Sequence, residues 1–206
     1  MYSLEMKNAA ASAQGCIDMC CTSENVAVVS AEYISALAKY LDILNPSGID
    51  FSKKGFFADI RIKNYWKLFA EHYPKTEAII KKLKQNGLIA ANTLLTLKGE
   101  RERYSAALET FLALETDEAD MEYSTQKTVA LNLKSLLDNT TAEYEALSEK
   151  LKVITGMAND VFSNAVLIAK VSYQINISSD SGTVSSVIPD ADAFRNGFVK
   201  LFNMCR

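Results

Sequence analysis

The stretch Gly156–Ile177, GMANDVFSNAVLIAKVSYQINI, decides what kind of molecule this chain builds. It reads as the end of a long helix, as a membrane segment or as the start of a strand. The residues before it separate these readings. Ala130, Leu133, Leu137, Thr140, Tyr144, Leu147, Leu151, Ile154, Ala158, Val161, Ala165 and Ile168 step by alternating threes and fours, the spacing of an apolar seam along a helix. The frame enters the quoted stretch unbroken, so its first half is predicted helix. Its uninterrupted apolar run, Ala165–Ala169, falls far short of the roughly 20 residues that a spanning helix needs. Beyond Lys170 the pattern changes. Val171, Tyr173, Ile175 and Ile177 alternate with Ser172, Gln174 and Asn176, which is the period of a strand. Two readings stay open there: the helix runs on to about Ile177 and the rest is loop, or 171–188 forms a small β-hairpin turning at Ser178–Gly182.

A second seam precedes the first. Ile80, Leu83, Gly87, Ala90, Leu94, Leu97, Arg101, Tyr104, Leu108 and Phe111 repeat the same spacing, with Arg101 its one charged member. The join between the seams, Glu115-Thr-Asp-Glu-Ala-Asp120, is short and polar. Helices joined so tightly run antiparallel, and forty residues at about 1.5 Å each make a rod of roughly 60 Å. The sequence therefore predicts an all-α protein: an elongated bundle of five or six helices built on one long antiparallel, coiled-coil-like hairpin. It is expected to be a single helical domain over 1–206. Within it, 1–45 form an N-terminal helix pair and 46–74 an aromatic and basic loop with a short helix. Residues 75–177 form the hairpin, and 178–206 a linker and C-terminal helix.

The flanking segments follow the same rules. Met6, Ala9, Ala13, Cys16 and Cys20 give 3–21 a helical stripe. Thr22-Ser23-Glu24 is read as the cap of a second helix, whose predicted face is Val26, Val29, Tyr33, Leu37, Tyr40 and Leu44. Asn45-Pro46-Ser47-Gly48 ends it. Residues 46–58 are expected to be loop and 59–73 a short helix striped by Ile62, Trp66, Phe69 and Tyr73. Pro74 is expected to break that run and open a new helix. After Pro189, Asp190 is a plausible cap for a last helix carrying Phe194, Phe198, Leu201, Phe202 and Cys205.

Composition sets the bounds on function. The net charge of −3 divides as −4 over 1–52, +7 over 53–103, −7 over 104–150 and +1 over 151–206, so charge is polarised along the hairpin. Its tip carries Glu115, Asp117, Glu118 and Asp120, and the base of its first arm carries Lys81, Lys82 and Lys84. The acidic tip argues against a general nucleic-acid binder. Cys16, Cys20, Cys21 and Cys205 lack a familiar metal-ligand spacing; they are read as free thiols, with a disulfide from Cys20 or Cys21 to Cys205 as the alternative. The one histidine, His72, is adjacent to Glu71 and so points away from it on a helix. No H-E-x-x-H, G-x-S-x-G, P-loop or G-x-G-x-x-G motif occurs, and one histidine cannot supply the paired Glu-x-x-His motifs of a di-iron bundle. The chain shows no secretory signal pattern and no transmembrane helix. A soluble protein is expected, cytoplasmic or exported by a signal-independent route.

These observations point to a non-enzymatic helical interaction protein, without cofactor, that binds a protein partner or self-associates through its bundle surface. The candidate contact residues are the acidic tip, the lysine base, Trp66, Phe198 and Phe202. The alternative is a membrane-acting helical protein, such as a component of a pore-forming toxin or lipid-binding assembly, that uses 161–188 or the Phe-rich C-terminal helix. Aromatics interleaved with Lys53, Lys54, Arg61, Lys63 and Lys67 over 51–73 can stack on bases or sit at a lipid interface. Helical spacing of Ile62, Trp66 and Phe69 favours core for the aromatics and solvent for the lysines.

Overall fold

The computed structural model describes residues 4–22, 25–113, 121–178 and 190–206. Among them the regular elements are α1 (Leu4–Cys20), α2 (Val26–Ile43), α3 (Phe56–Leu112), α4 (Met121–Tyr173) and α5 (Ala191–Cys205), with a 3-10 turn at Pro46–Gly48. The protein is all-α. Its contacts divide into two compact units, Met1–Val29 with Asn86–Glu149 and Ser30–Gln85 with Lys150–Arg206.

The first unit packs α1 on the adjoining stretches of α3 and α4. Phe111 and Tyr123 bring their rings to 5.3 Å. The Tyr104 hydroxyl donates to the Ala130 carbonyl at 3.0 Å, and Lys98 pairs with Glu145 at 2.7 Å. Rising numbers on α3 thus meet falling numbers on α4, the antiparallel pairing expected. Leu97, Tyr104, Leu108, Phe111, Ala130, Leu137 and Tyr144 are buried, so the two seams face each other. Arg101 sits half-buried at the edge. On α1 the buried stripe is Met6, Ala9, Ala13, Ile17 and Cys20. Ile17 replaces the expected Cys16, which is half-buried; of the two neighbours, the bulkier apolar side chain takes the interior. Asn25, and not the expected Thr22, caps α2. Its side-chain oxygen accepts from the Val28 N–H at 2.9 Å, while its amide reaches back to the Cys20 carbonyl at the end of α1.

The second unit is a four-helix arrangement of α2, α5 and the other stretches of α3 and α4. The Tyr65 hydroxyl bonds the Leu44 carbonyl at 2.8 Å, and Tyr40 lies beside His72, so α2 runs antiparallel to α3. Asn164 donates to the Asp190 carbonyl, while a β-carbon at Gly197 would meet Val161, so α5 runs antiparallel to α4. The interior is aromatic. Trp66 has Phe51, Tyr65, Phe69, Tyr173 and Phe194 around it, all with ring centroids within 5.9 Å. The buried face of α2 is Ser30, Ile34, Leu37, Leu41 and, just beyond the helix, Leu44. This is one residue round from the predicted stripe. Tyr33 and Tyr40 stay half-buried, which leaves their hydroxyls near water while Ile34 and Leu41, with no polar group to satisfy, go in.

Two boundaries depart from the sequence reading. Pro74 lies inside α3, which runs 57 residues without a break. Proline removes the bond to the Ala70 carbonyl and crowds it, at a cost of roughly 3 kcal/mol. Its ring is on the exposed side. The buried stripe passes it in phase through Phe69, Tyr73, Thr76, Ile80 and Leu83. Packing on both sides outweighs the local penalty. At its other end α4 stops at Tyr173, short of Ile177. Gln174 takes the left-handed conformation at φ 53, and the Ile175 N–H turns back to the Ala169 carbonyl at 3.0 Å, the manner of a left-handed C-cap. Residues 174–178 form no strand. The rest of the alternative hairpin, 179–188, lies outside the described residues.

Threonines inside the bundle carry their own solution to burial. Thr76, Thr141 and Thr155 are buried, and each hydroxyl donates to the carbonyl four residues earlier, at 3.2, 2.7 and 2.7 Å. A buried polar group with an internal acceptor avoids the cost of an unmade hydrogen bond.

Candidate functional site

Chemistry would need an activated group, and the thiols are the obvious place to look. In the first unit a cavity of about 270 Å³ is lined by Cys16, Cys20, Met19, Asn25 and Tyr144 among others. Burial pushes the Cys16 thiol above its ordinary value, with Glu100 adding to the effect. Burial raises Cys20 as well, partly offset by its hydrogen bond with Tyr144. In the second unit, burial raises Cys205 to about 11. A thiol held neutral is a poor nucleophile and a poor metal ligand. All four cysteines are free. Among the described residues no three His, Cys, Asp or Glu side chains gather to hold a metal ion. A second groove of the first unit, about 570 Å³ between α1 and α3, presents Glu5, Asn8, Ser12 and Arg103. Its guanidinium is already taken: Arg103 pairs with Glu100 and donates to Ser12.

The expected contact residues scatter. Trp66 and Phe198 are fully buried and belong to the core of the second unit. Phe202 is half-buried under the Arg206 guanidinium, 4.5 Å from its ring centre. Lys81, Lys82 and Lys84 are exposed, but at about 100° per residue they fan around the outward side of α3 instead of forming one cluster. Glu115, Asp117, Glu118 and Asp120 lie outside the described residues. The apolar residues that a membrane transition would use are core in this fold: Val161, Phe162, Ala165, Ile168, Phe194 and Phe198 are all buried. Among the described residues no helix is long and apolar enough to cross a membrane.

What the sequence reading missed is the start of α3. It placed Phe56 and Phe57 in a loop, yet they form the first turn of the helix. The turn before them is held by its own side chains. Asp50 accepts from the Ser52 N–H and hydroxyl at 3.1 and 2.6 Å, bonds that hold its carboxyl below the usual range. Gly55 then adopts φ 131, a conformation open to glycine and costly for side-chain-bearing residues. Its carbonyl receives the first helical bond, from the Asp59 N–H at 2.9 Å. The chain thereby enters α3 with Phe56 and Phe57 pointing outward, 74% and 82% exposed, and Ile60 one turn on at 43%. The two rings meet edge to face at 5.6 Å. Lys53, Lys54, Arg61, Lys63 and Lys67 are exposed around them. The signal was in the sequence: Phe56 and Phe57 fall off the Ile62, Trp66, Phe69, Tyr73 stripe.

The chain matches no protein-family model, no curated protein and no solved structure.

Proposed function

We propose that this chain is a non-enzymatic interaction protein, one whose helical scaffold docks on another surface. That surface is a protein partner or a second copy of the chain in the first reading and a lipid layer in the second. The observation that carries it is the apolar outward face at the start of α3. Phe56, Phe57 and Ile60 are neighbours on one helix face, and two of them are rings more than 70% exposed. Single exposed apolar residues are ordinary, whereas contiguous ones on an ordered element mark contact surfaces. Covering two such rings is worth on the order of 5 kcal/mol in apolar area. The raised thiols of Cys16, Cys20 and Cys205 and the ion-paired Arg103 support the non-catalytic half of the proposal.

A photo-crosslinker tests docking without prejudging the occupant. Phe57→p-benzoylphenylalanine, irradiated in cells that make the protein, should give adducts at position 57. The same residue introduced at exposed Glu143 should give none. Equal labelling at both positions, or none at either, would sink the proposal.

A further inference from the structure

The occupant of this face is legible in its charges. At about 100° per residue, Phe56, Phe57, Ile60 and Lys67 lie on the arc opposite the buried Ile62, Trp66 and Phe69, with Arg61 and Lys63 on its two flanks. Every one of these outward residues is exposed and the charged ones among them are basic, the face ending at exposed Glu71 one turn beyond Lys67. Lys53 and Lys54, exposed in the preceding turn, add two more cations. Two carboxylates lie in the segment, and Asp59 is itself exposed one turn before Lys63. Asp50 is engaged by Ser52. Asp59 lies a fraction of a turn from the buried stripe and acts on Tyr173 of α4, whose phenol is raised first by burial and then by that carboxylate.

We propose that the outward face of the first three turns of α3 docks on an anionic phospholipid bilayer, resting on the interaction reading above. Phe56, Phe57 and Ile60 enter the headgroup layer while Lys53, Lys54, Arg61, Lys63 and Lys67 meet the phosphates. An interfacial helix needs this division into an apolar wedge and a basic rim. A protein surface would need an acidic rim matched to each of these scattered cations, whereas a bilayer presents phosphates all round the apolar wedge, and a nucleic acid would use flat rings on which bases stack. Here the rings stand at 78° to one another, so they offer no shared stacking plane, and Ile60 beside them is aliphatic. Both features suit acyl chains. Long lysine side chains also reach past the rings to the headgroup level.

The test is co-sedimentation of the full chain with vesicles of phosphatidylcholine alone and of phosphatidylcholine mixed with phosphatidylserine. The protein is expected to pellet with the mixed vesicles, weakly or not at all with the neutral ones, and less as salt rises. Phe56→Ser with Phe57→Ser should lower the partition coefficient at least ~30-fold. Lys53→Gln with Lys54→Gln should lower it about 25-fold, roughly five-fold per cation, on the mixed vesicles only. All four side chains are exposed, so far-UV circular dichroism and the thermal midpoint should stay unchanged in both variants. Three results overturn the proposal: no binding to mixed vesicles, equal binding to neutral ones, or full binding by the serine variant. Retention of single-stranded RNA in place of vesicles overturns it too. If vesicles fail while the crosslinker at position 57 captures a protein, the lipid assignment falls and the docking reading stands. If both fail, both fall.

Discussion

The backbone of α5 comes close to α4 at Gly197, which yields a prediction whose sign depends on one neighbour. A β-carbon at Gly197 would lie 2.9 Å from Cγ2 of Val161, inside van der Waals contact. Val161 is 5% exposed and β-branched on a helix, so it has essentially one rotamer and cannot swing aside. Two effects then compete in Gly197→Ala. Replacing glycine inside a helix gains about 1 kcal/mol, while overpacking a filled interior costs roughly 1–3 kcal/mol. The net expectation is a loss of about 1 kcal/mol. Val161→Ala removes the obstructing methyl groups and should itself cost about 2 kcal/mol in lost burial and residual cavity. In that background the clash is gone and only the propensity gain survives. Gly197→Ala should therefore become stabilising by about 1 kcal/mol, for a coupling energy of about 2 kcal/mol. Urea unfolding of the wild type, both single variants and the double, followed by far-UV circular dichroism with slopes compared, measures the cycle. Gly197→Ala stabilising the wild-type background, or simple additivity, would refute the close approach of α5 to α4.

Two further outcomes test other parts of the fold. Pro74→Ala should raise stability by roughly 1–3 kcal/mol, because it restores the bond to Ala70 and relieves the ring in a helix that already runs through; destabilisation in chemical unfolding would mean that α3 is interrupted there. Cys205 has its thiol raised by burial from 9.0 to about 11, so its neutral form is favoured in the folded state. That contribution is complete below pH 9 and is lost as pH rises through 11. The stability gap between wild type and Cys205→Ala, followed by denaturant titration, should be constant up to pH 9 and narrow toward pH 11; a gap independent of pH would place the thiol in contact with water.

The all-α class and the antiparallel pairing of the two long seams were already determined by the sequence. Spacing and a short join did this: Leu97 and Tyr104 in one seam, and Leu137, Leu151 and Ile168 in the other, keep a helical repeat over many turns, and the short polar join at 115–120 turns the second seam back along the first. The Asp190 cap was equally local, since its carboxylate takes the Asp192 and Ala193 amides at 2.9 and 3.1 Å without help from elsewhere. Tertiary structure decided what local rules left balanced. It carried α3 through Pro74, because the burial of Phe69 and Tyr73 before the proline and of Ile80 and Leu83 after it outweighs one lost hydrogen bond. It rotated α2 by a residue, choosing Ile34 and Leu41 over two tyrosines whose hydroxyls favour water. It ended α4 at Tyr173, where the stacking of that ring on Trp66 and the left-handed turn at Gln174 override the alternating pattern beyond. It also sorted the aromatics. Trp66 and Phe198 went inside, while Phe56 and Phe57 stayed out, since hydrophobicity is a property of a residue but burial belongs to the face it shares with its neighbours.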